Sequence, residues 1–252
     1  MKRRIAYVPG TSFIHRLHPL VKVAWLTGLT VLVFLVTRSW IVLGVVALSL
    51  GLLGVSRVSL KGRRGTRVLL ITAFMLGALQ LAFRQGGTTV LQAGPLTITG
   101  EGVEAALYVA GRFMSVVLLS YVFVFTTEPG DLAYALMRAG LPYRYGFALV
   151  TALRLVPIFE AEAETVYEAQ LARGIGHDVR SPRRVLGWVR QLVMPVLSSA
   201  LGKVDTLAVS MEGRGFGRYP HRTFLRKTQF GWLDATSLAA LAVLLIGTML
   251  LS

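Results

Sequence analysis

Apolar residues run along this 252-residue chain in five long stretches, and polar residues gather in the gaps between them. A helix needs about 20 mostly apolar residues to cross a bilayer. The pattern predicts such helices at roughly 20–36, 40–55, 68–83 and 103–125, with a fifth at roughly 232–251. The turn "TRS" separates the first two. Trp25, Trp40 and Trp232 stand near predicted ends, where interfacial aromatics are expected.

Between 127 and 231 the pattern changes. "TTEPGDLAYALMRAGLP" predicts a short helix: Thr126 or Thr127 can cap it, Pro129 fits its first turn, and Asp131 suits its positive end. Gly140 and Pro142 stop it. Two long helices follow, about 145–172 and 185–211, joined by the polar loop "IGHDVRSPRR". Pro157 and Pro195 are expected to kink them. The stretch "VLGWVRQLVMPVLSSAL" (185–201) is nearly apolar enough to span, but a partner span would have to lie near 146–159, which is short and contains Arg154. The expectation is therefore two helices at or just below the membrane surface, packed on each other and on the spans. Six or seven spans are the alternative. The first long helix begins apolar ("FALVTALRLVPIF") and later carries Glu160, Glu162, Glu164 and Glu168, as a helix leaving the membrane boundary for water would.

Composition supports the bilayer. Hydrophobic residues make up 54% of the chain and charged residues only 15%, against about 25% charged in soluble domains. The net charge of +15 would suit a nucleic-acid binder, but the basic residues sit between apolar runs and track topology. Residues 1–22 carry five Lys/Arg and 56–67 five more, whereas 37–39 has only Arg38 and 85–102 none. By the positive-inside rule the N-terminus and 56–67 are cytoplasmic. The fourteen Lys/Arg of 127–231 agree with a cytoplasmic position, and five spans leave residue 252 outside. No removable signal peptide is read at the basic start. The chain has no cysteine, which excludes disulfides, zinc–thiolate sites and a cysteine nucleophile. The expected architecture is an all-α integral membrane protein: a membrane domain of four helices (1–126), a cytoplasmic or interfacial coupling domain of long helices (127–231), and a last transmembrane helix (232–252).

Two short stretches echo one another. "EAQLARGIG" ends the first long helix and "SMEGRGFG" the second. Each sets an arginine after a small residue and before a glycine: Ala172-Arg173-Gly174 and Gly213-Arg214-Gly215. Capping accounts for part of this, since glycine commonly follows a helix end and arginine complements the negative dipole end. A cap alone does not require both neighbourhoods to match. Two similar helix ends, expected side by side, suggest two similar docking sites.

With these motifs in view, the chain resembles the EcfT/CbiQ family, the transmembrane T components of energy-coupling factor transporters. The resemblance rests on "YVPGTSFIHRLHPLVK", "EPGDLAYALMRAGLP", "ALRLVPIFEAEAETVYEAQLARG", "AVSMEGRGFG" and the final apolar span. It implies a non-catalytic scaffold of an ATP-driven importer of vitamins or metal ions in the cell membrane. A separate membrane S component would bind the substrate. Arg173 and Arg214 would each dock into one of two ABC ATPase subunits, which bind the ATP; the chain itself would hold no cofactor. Gly213 stands where the family has alanine, and His18 where aspartate is expected, which puts an N-terminal ion pair in doubt. The "YVPG…HRL" opening looks closer to shared, vitamin-type T components than to dedicated metal ones.

Other motifs weigh less. No phosphate loop is present: the only Gly-Lys, Gly202-Lys203, lacks the earlier glycine. His15 and His18, three apart, could share a helix face, but have no carboxylate or cysteine nearby in sequence; His177 and His221 are isolated. Glu160, Glu164 and Glu168 follow the i, i+4 rhythm of a solvated face. Arg112 lies inside the fourth span, where charge is costly. It is expected to pair structurally, with Gln80 or a backbone carbonyl, or else to meet the S component. The rival classes are a permease of another ABC importer, which lines its own substrate path, and a membrane-embedded lipid-modifying enzyme, which would need converging His, Asp or Glu residues.

Overall fold

The computed structural model describes residues 7–56, 64–84, 86, 89–93, 96–174, 182–218 and 230–251. Lys2, Arg3, Arg4, Arg57, Lys61, Arg63, His177 and His221 lie outside them, as do most of the loop 175–184 and Gly94. The elements in order are α1 (Phe13–Arg16), α2 (Pro19–Leu35), α3 (Ser39–Val55), α4 (Arg64–Phe83), β1 (Thr89–Ala93), β2 (Leu96–Thr99), α5 (Gly100–Thr126), α6 (Pro129–Arg138), α7 (Tyr143–Ala172), α8 (Pro182–Gly213) and α9 (Trp232–Leu251). The architecture is that of an all-α membrane protein with one addition. The segment expected to be a plain loop between the third and fourth spans contains an antiparallel hairpin of β1 and β2. Thr99 ends it by capping α5, its hydroxyl accepting from Gly102 N at 3.2 Å.

Stretches within α4, α5, α8 and α9 are long and apolar enough to cross a membrane, while α2 and α3 are shorter apolar helices of 17 residues each, about 26 Å long at 1.5 Å per residue. The contacts divide the chain into two units, 1–139 with 228–252, and 140–227.

In the first unit, side-chain pairings reveal which way each helix runs. Trp25 on α2 donates to Ser237 on α9 at 2.8 Å, and Gly28 faces Leu241 and Leu245, so α2 and α9 run parallel. That indole joins the two helices. Gly65 faces Tyr121 while Gly77 faces Ala110 and Ala106, so α4 is antiparallel to α5. Ser39 meets Glu104, and Val42 lies beside Gly111, so α3 runs with α5. The α2–α5 pairing, from Val33–Arg112 to Lys22–Thr126, is antiparallel. Thus α2, α4 and α9 point one way and α3 and α5 the other, which is the alternation five spans require. Small residues let these backbones approach, the usual device where lipid removes the hydrophobic drive between helices. Leu29, Leu32, Val33, Ile41, Val42, Val45, Leu119 and Leu241 form the core, whereas Phe74 and Phe83 on α4 remain about four-fifths exposed, as lipid-facing side chains would.

One face of this unit gathers the buried His18, Lys22, Thr126 and Asp234. Lys22 donates to the carbonyls of Thr126 at 2.8 Å and His15 at 3.4 Å. These carbonyls lie at the negative ends of α5 and α1. Asp234 accepts from Gly231 N at 2.8 Å, capping its own helix, and from His18 N at 2.7 Å. His18 caps α2: its Nδ1 accepts from Leu20 N at 3.3 Å. His15 and His18 do not share a helix, because Leu17 breaks the chain between α1 and α2. The His15 ring bonds Ser12 Oγ at 2.6 Å and the Val8 carbonyl at 3.0 Å. The N-cap of α6 is Glu128 rather than Thr126 or Thr127. The Thr126 hydroxyl instead bonds back to the Val122 carbonyl at 2.7 Å. The end of α5 and the start of α9 both lie at this face, so the intervening segment leaves and returns on one side.

In the second unit, Pro157 lies inside α7 and Pro195 inside α8, and both helices run on past them.

Two predictions follow from this packing. A side chain at Gly111 would meet Val42 Cγ1 at 3.0 Å, while Gly44 has nothing within 4 Å. Gly111→Leu should cost about 1–3 kcal/mol by overpacking and Gly44→Leu close to nothing; equal melting points in detergent would contradict the α3–α5 pairing. Burial pushes the His18 imidazole below its ordinary range, outweighing the raising effect of Asp234, and Arg138 lowers it further. The stability this neutral cap confers should be fully present above about pH 6.5, the unfolded value. It should be lost as pH falls through the lowered folded value. His18→Asn, which caps without titrating, should flatten that part of the melting-point-versus-pH curve.

Candidate functional site

Each Arg-Gly motif closes a long helix. Arg173 is the C-cap of α7, its N–H bonding the Ala169 carbonyl at 3.2 Å. Gly174 follows with φ +78° and bonds the Leu171 carbonyl at 2.9 Å. At the end of α8, Arg214 N lies 3.3 Å from the Ser210 carbonyl, Gly215 has φ +70°, and its N–H reaches the Glu212 carbonyl at 2.9 Å. Phe216 N then reaches back to the Met211 carbonyl at 2.9 Å, completing a Schellman motif. Capping therefore accounts for both glycines: a left-handed backbone costs any L side chain about 1–2 kcal/mol. It does not account for the arginine side chains. Arg173 and Arg214 are exposed, and neither guanidinium has an ion-pair or hydrogen-bond partner among the described residues. Apart from the local chain, no atom of the described residues lies within 4 Å of a Cβ built at Gly174 or Gly213. Ala172, the small residue before Arg173, is exposed as well.

The two ends do not lie side by side. Gln170 on α7 pairs with Gln191 on α8, Glu162 with Ser199 and Lys203, and Phe147 with Phe216, whose ring centroids are 4.6 Å apart. These pairs define an antiparallel hairpin. Both motifs sit at C-termini, so a hairpin of two near-equal helices must send them to opposite ends. Phe216, two residues past Arg214, also packs on Tyr143 at the start of α7. Arg173 stands roughly 26 residues beyond Phe147 along α7, about 39 Å at 1.5 Å per residue. The expectation of adjacent ends is thereby corrected.

Of the four glutamates, Glu160, Glu164 and Glu168 are exposed. Glu162, which falls off their rhythm, turns to α8 and pairs with Lys203. Phe216 and Gln170, which hold the two ends to the opposite helix, were not singled out by sequence reasoning. The aromatic directly after Arg-Gly was the only signal for Phe216, and pattern gave none for Gln170.

Arg112 lies in the other unit. Its Nε donates to the Val33 carbonyl at 3.2 Å and its Nη2 to the Phe34 carbonyl at 3.3 Å, at the C-terminal end of α2. The guanidinium lies over the rings of Tyr108 and Phe34, 4.4 and 4.6 Å from their centroids. It also bonds the Tyr108 hydroxyl, which donates to the Val36 carbonyl at 2.5 Å. Its carbonyl partners thus belong to the negative end of a neighbouring helix. No group of three or more His, Asp or Glu that could hold a metal occurs among the described residues.

A family model described as CbiQ, cobalt transport protein, matches residues 10–224. The energy-coupling factor transporter transmembrane protein EcfT of Brevibacillus brevis is 29% identical over 249 residues, covering 95% of this chain and 94% of that protein. EcfT of Limosilactobacillus fermentum is 29% identical over 253 residues, with 97% and 94% covered. A putative ABC transporter ATP-binding protein of Bifidobacterium longum is 29% identical over 246 residues, covering 93% of this chain but 31% of that longer protein.

The cap geometry separates the three glycines of the two motifs. Gly174→Ala and Gly215→Ala should each destabilise their helix end by about 1–2 kcal/mol, raising amide exchange there roughly five- to thirtyfold. Gly213→Ala, at a helical position in open space, should slow exchange instead, since alanine gains about 0.5–1 kcal/mol over glycine in a helix. A uniform response across the three would contradict the assigned caps.

Proposed function

The chain belongs to the CbiQ family of transport proteins, and we propose that within it this chain is the energy-coupling scaffold between two ABC ATPases and a substrate-binding S component. The observation that carries this reading is the pair of exposed arginines, unpartnered among the described residues, at opposite ends of one hairpin. A guanidinium stays charged and donates up to five hydrogen bonds in a fixed fork. At each helix end it can enter a groove lined by carboxylates and carbonyls, and the left-handed glycine leaves the partner room. A separation of about 39 Å, from the hairpin register at 1.5 Å per residue, suits two grooves rather than one. The similarity to part of a longer protein named as an ATP-binding ABC component supports such a partnership.

The mechanism follows from that geometry. ATP binding closes the two ATPases and brings their grooves together. Each anchored helix end follows its groove, and the hairpin changes its disposition in response. The S component responds only insofar as its contacts differ between the two states. The arginine-rich loops support an N-terminus on the cytoplasmic side. Because α5 ends and α9 begins at the face of Lys22, the coupling segment then belongs to the cytoplasmic side too. This chain supplies no ATP-binding loop and is expected to be non-catalytic, with substrate choice, of vitamin type, left to the S component.

Arg173→Ala or Arg214→Ala should weaken ATPase retention by about 2–5 kcal/mol, the cost of truncating one partner of a buried interfacial charge pair, or roughly thirtyfold and upward. The double Arg→Glu variant should release both ATPases at unchanged membrane levels. Full copurification and full uptake by that variant would reduce the arginines to helix caps. Because the native chain lacks cysteine, Gly94→Cys can be labelled alone. It should react from outside the cell, and labelling only from the cytoplasm would invert the orientation.

A further inference from the structure

The two docking ends are tethered to the opposite helix by different means. The Arg214 end is held by Phe216, stacked against Phe147 and Tyr143. The Arg173 end is held by a side-chain hydrogen bond. Its tether is Gln170, three residues before Arg173, whose Nε2 donates to the Gln191 carbonyl on α8 at 3.2 Å. That carbonyl is not an arbitrary acceptor. In a regular helix it would accept the N–H of the residue four positions on, and that residue is Pro195, which has none. The carbonyl freed by Pro195 therefore needs a partner from outside the ladder, and Gln170 supplies it.

We infer that Gln170 is the positioning residue of the Arg173 docking end, tying the last turn of α7 to the α8 carbonyl that Pro195 leaves open. The inference rests on the docking reading and adds to it a residue that touches no ATPase. It makes the missing ladder bond at Pro195 and the aim of Arg173 one unit, so that bending at 191–195 shifts one docking end while the aromatic tether holds the other. It also explains how a proline is accommodated in an unbroken 32-residue helix.

The test uses the full complex with its ATPases and reads their rate of loss. In an Arg214→Ala background, where the Arg173 arm alone remains, Gln170→Leu should speed loss about three- to tenfold, the loss of one hydrogen bond's positioning. In an Arg173→Ala background the same change should have no effect. Pro195→Ala restores a ladder donor to the Gln191 carbonyl and should blunt the Gln170→Leu effect in the first background. Equal acceleration in both backgrounds would mean general loosening of the hairpin and would overturn the assignment, as would no acceleration in the first. A second readout stands apart from docking: spin labels at Ala169→Cys and Arg190→Cys should show a broader distance distribution in Gln170→Leu, and an unchanged distribution overturns the tether. If neither arginine substitution alters ATPase retention, the docking reading fails, and the spin labels still judge Gln170 by themselves.

Discussion

An antiparallel hairpin sets the C-termini of its two helices at opposite ends, and the second unit is organised around that constraint. The same local chemistry, a small residue, an arginine and a left-handed glycine, closes both α7 and α8. Had the helices run parallel, the motifs would have converged on one spot. Pairings from Gln170–Gln191 to Phe147–Phe216 instead hold them apart along the whole length. The two similar motifs therefore stand tens of ångströms apart.

In the first unit the corresponding constraint is the hydrogen-bond demand of helix ends. Carbonyls left over at the ends of α5 and α1 are taken by Lys22, and those at the end of α2 by Arg112. Asp234 serves α9 and α2 together. Charged groups in an apolar bundle are costly unless paired, and here each satisfies backbone that has no partner of its own. They gather the end of α5 and the start of α9 beside α2.

Within each Arg-Gly motif two roles separate cleanly. The glycine answers to the chain's own backbone, because the cap needs a positive φ. The arginine answers to nothing in the chain that the described residues contain. A residue that the fold neither buries nor pairs, repeated at two equivalent positions, is more readily explained by a surface outside the molecule than by stability.

Much of this was legible in the sequence because it is local. Apolar stretches of spanning length, the arginine asymmetry of the loops, the bounds of α7 and α8, and glycines just past helix ends all follow from residues close in the chain. The β-hairpin was missed because a polar, Gly-containing stretch of 18 residues between spans carries weak alternation. The threonine cap of α6 was misassigned because Thr126 finds its own helix's carbonyl first. What only the tertiary structure decided was pairing: that Lys22 serves α5 and Asp234 serves α2, that Arg112 ends α2, and that Gln170 meets the carbonyl freed by Pro195. Helix content and capping are set within a few residues of one another. Which helix faces which, and in what register, is set by side chains more than 20 residues apart, and no local pattern encodes that distance.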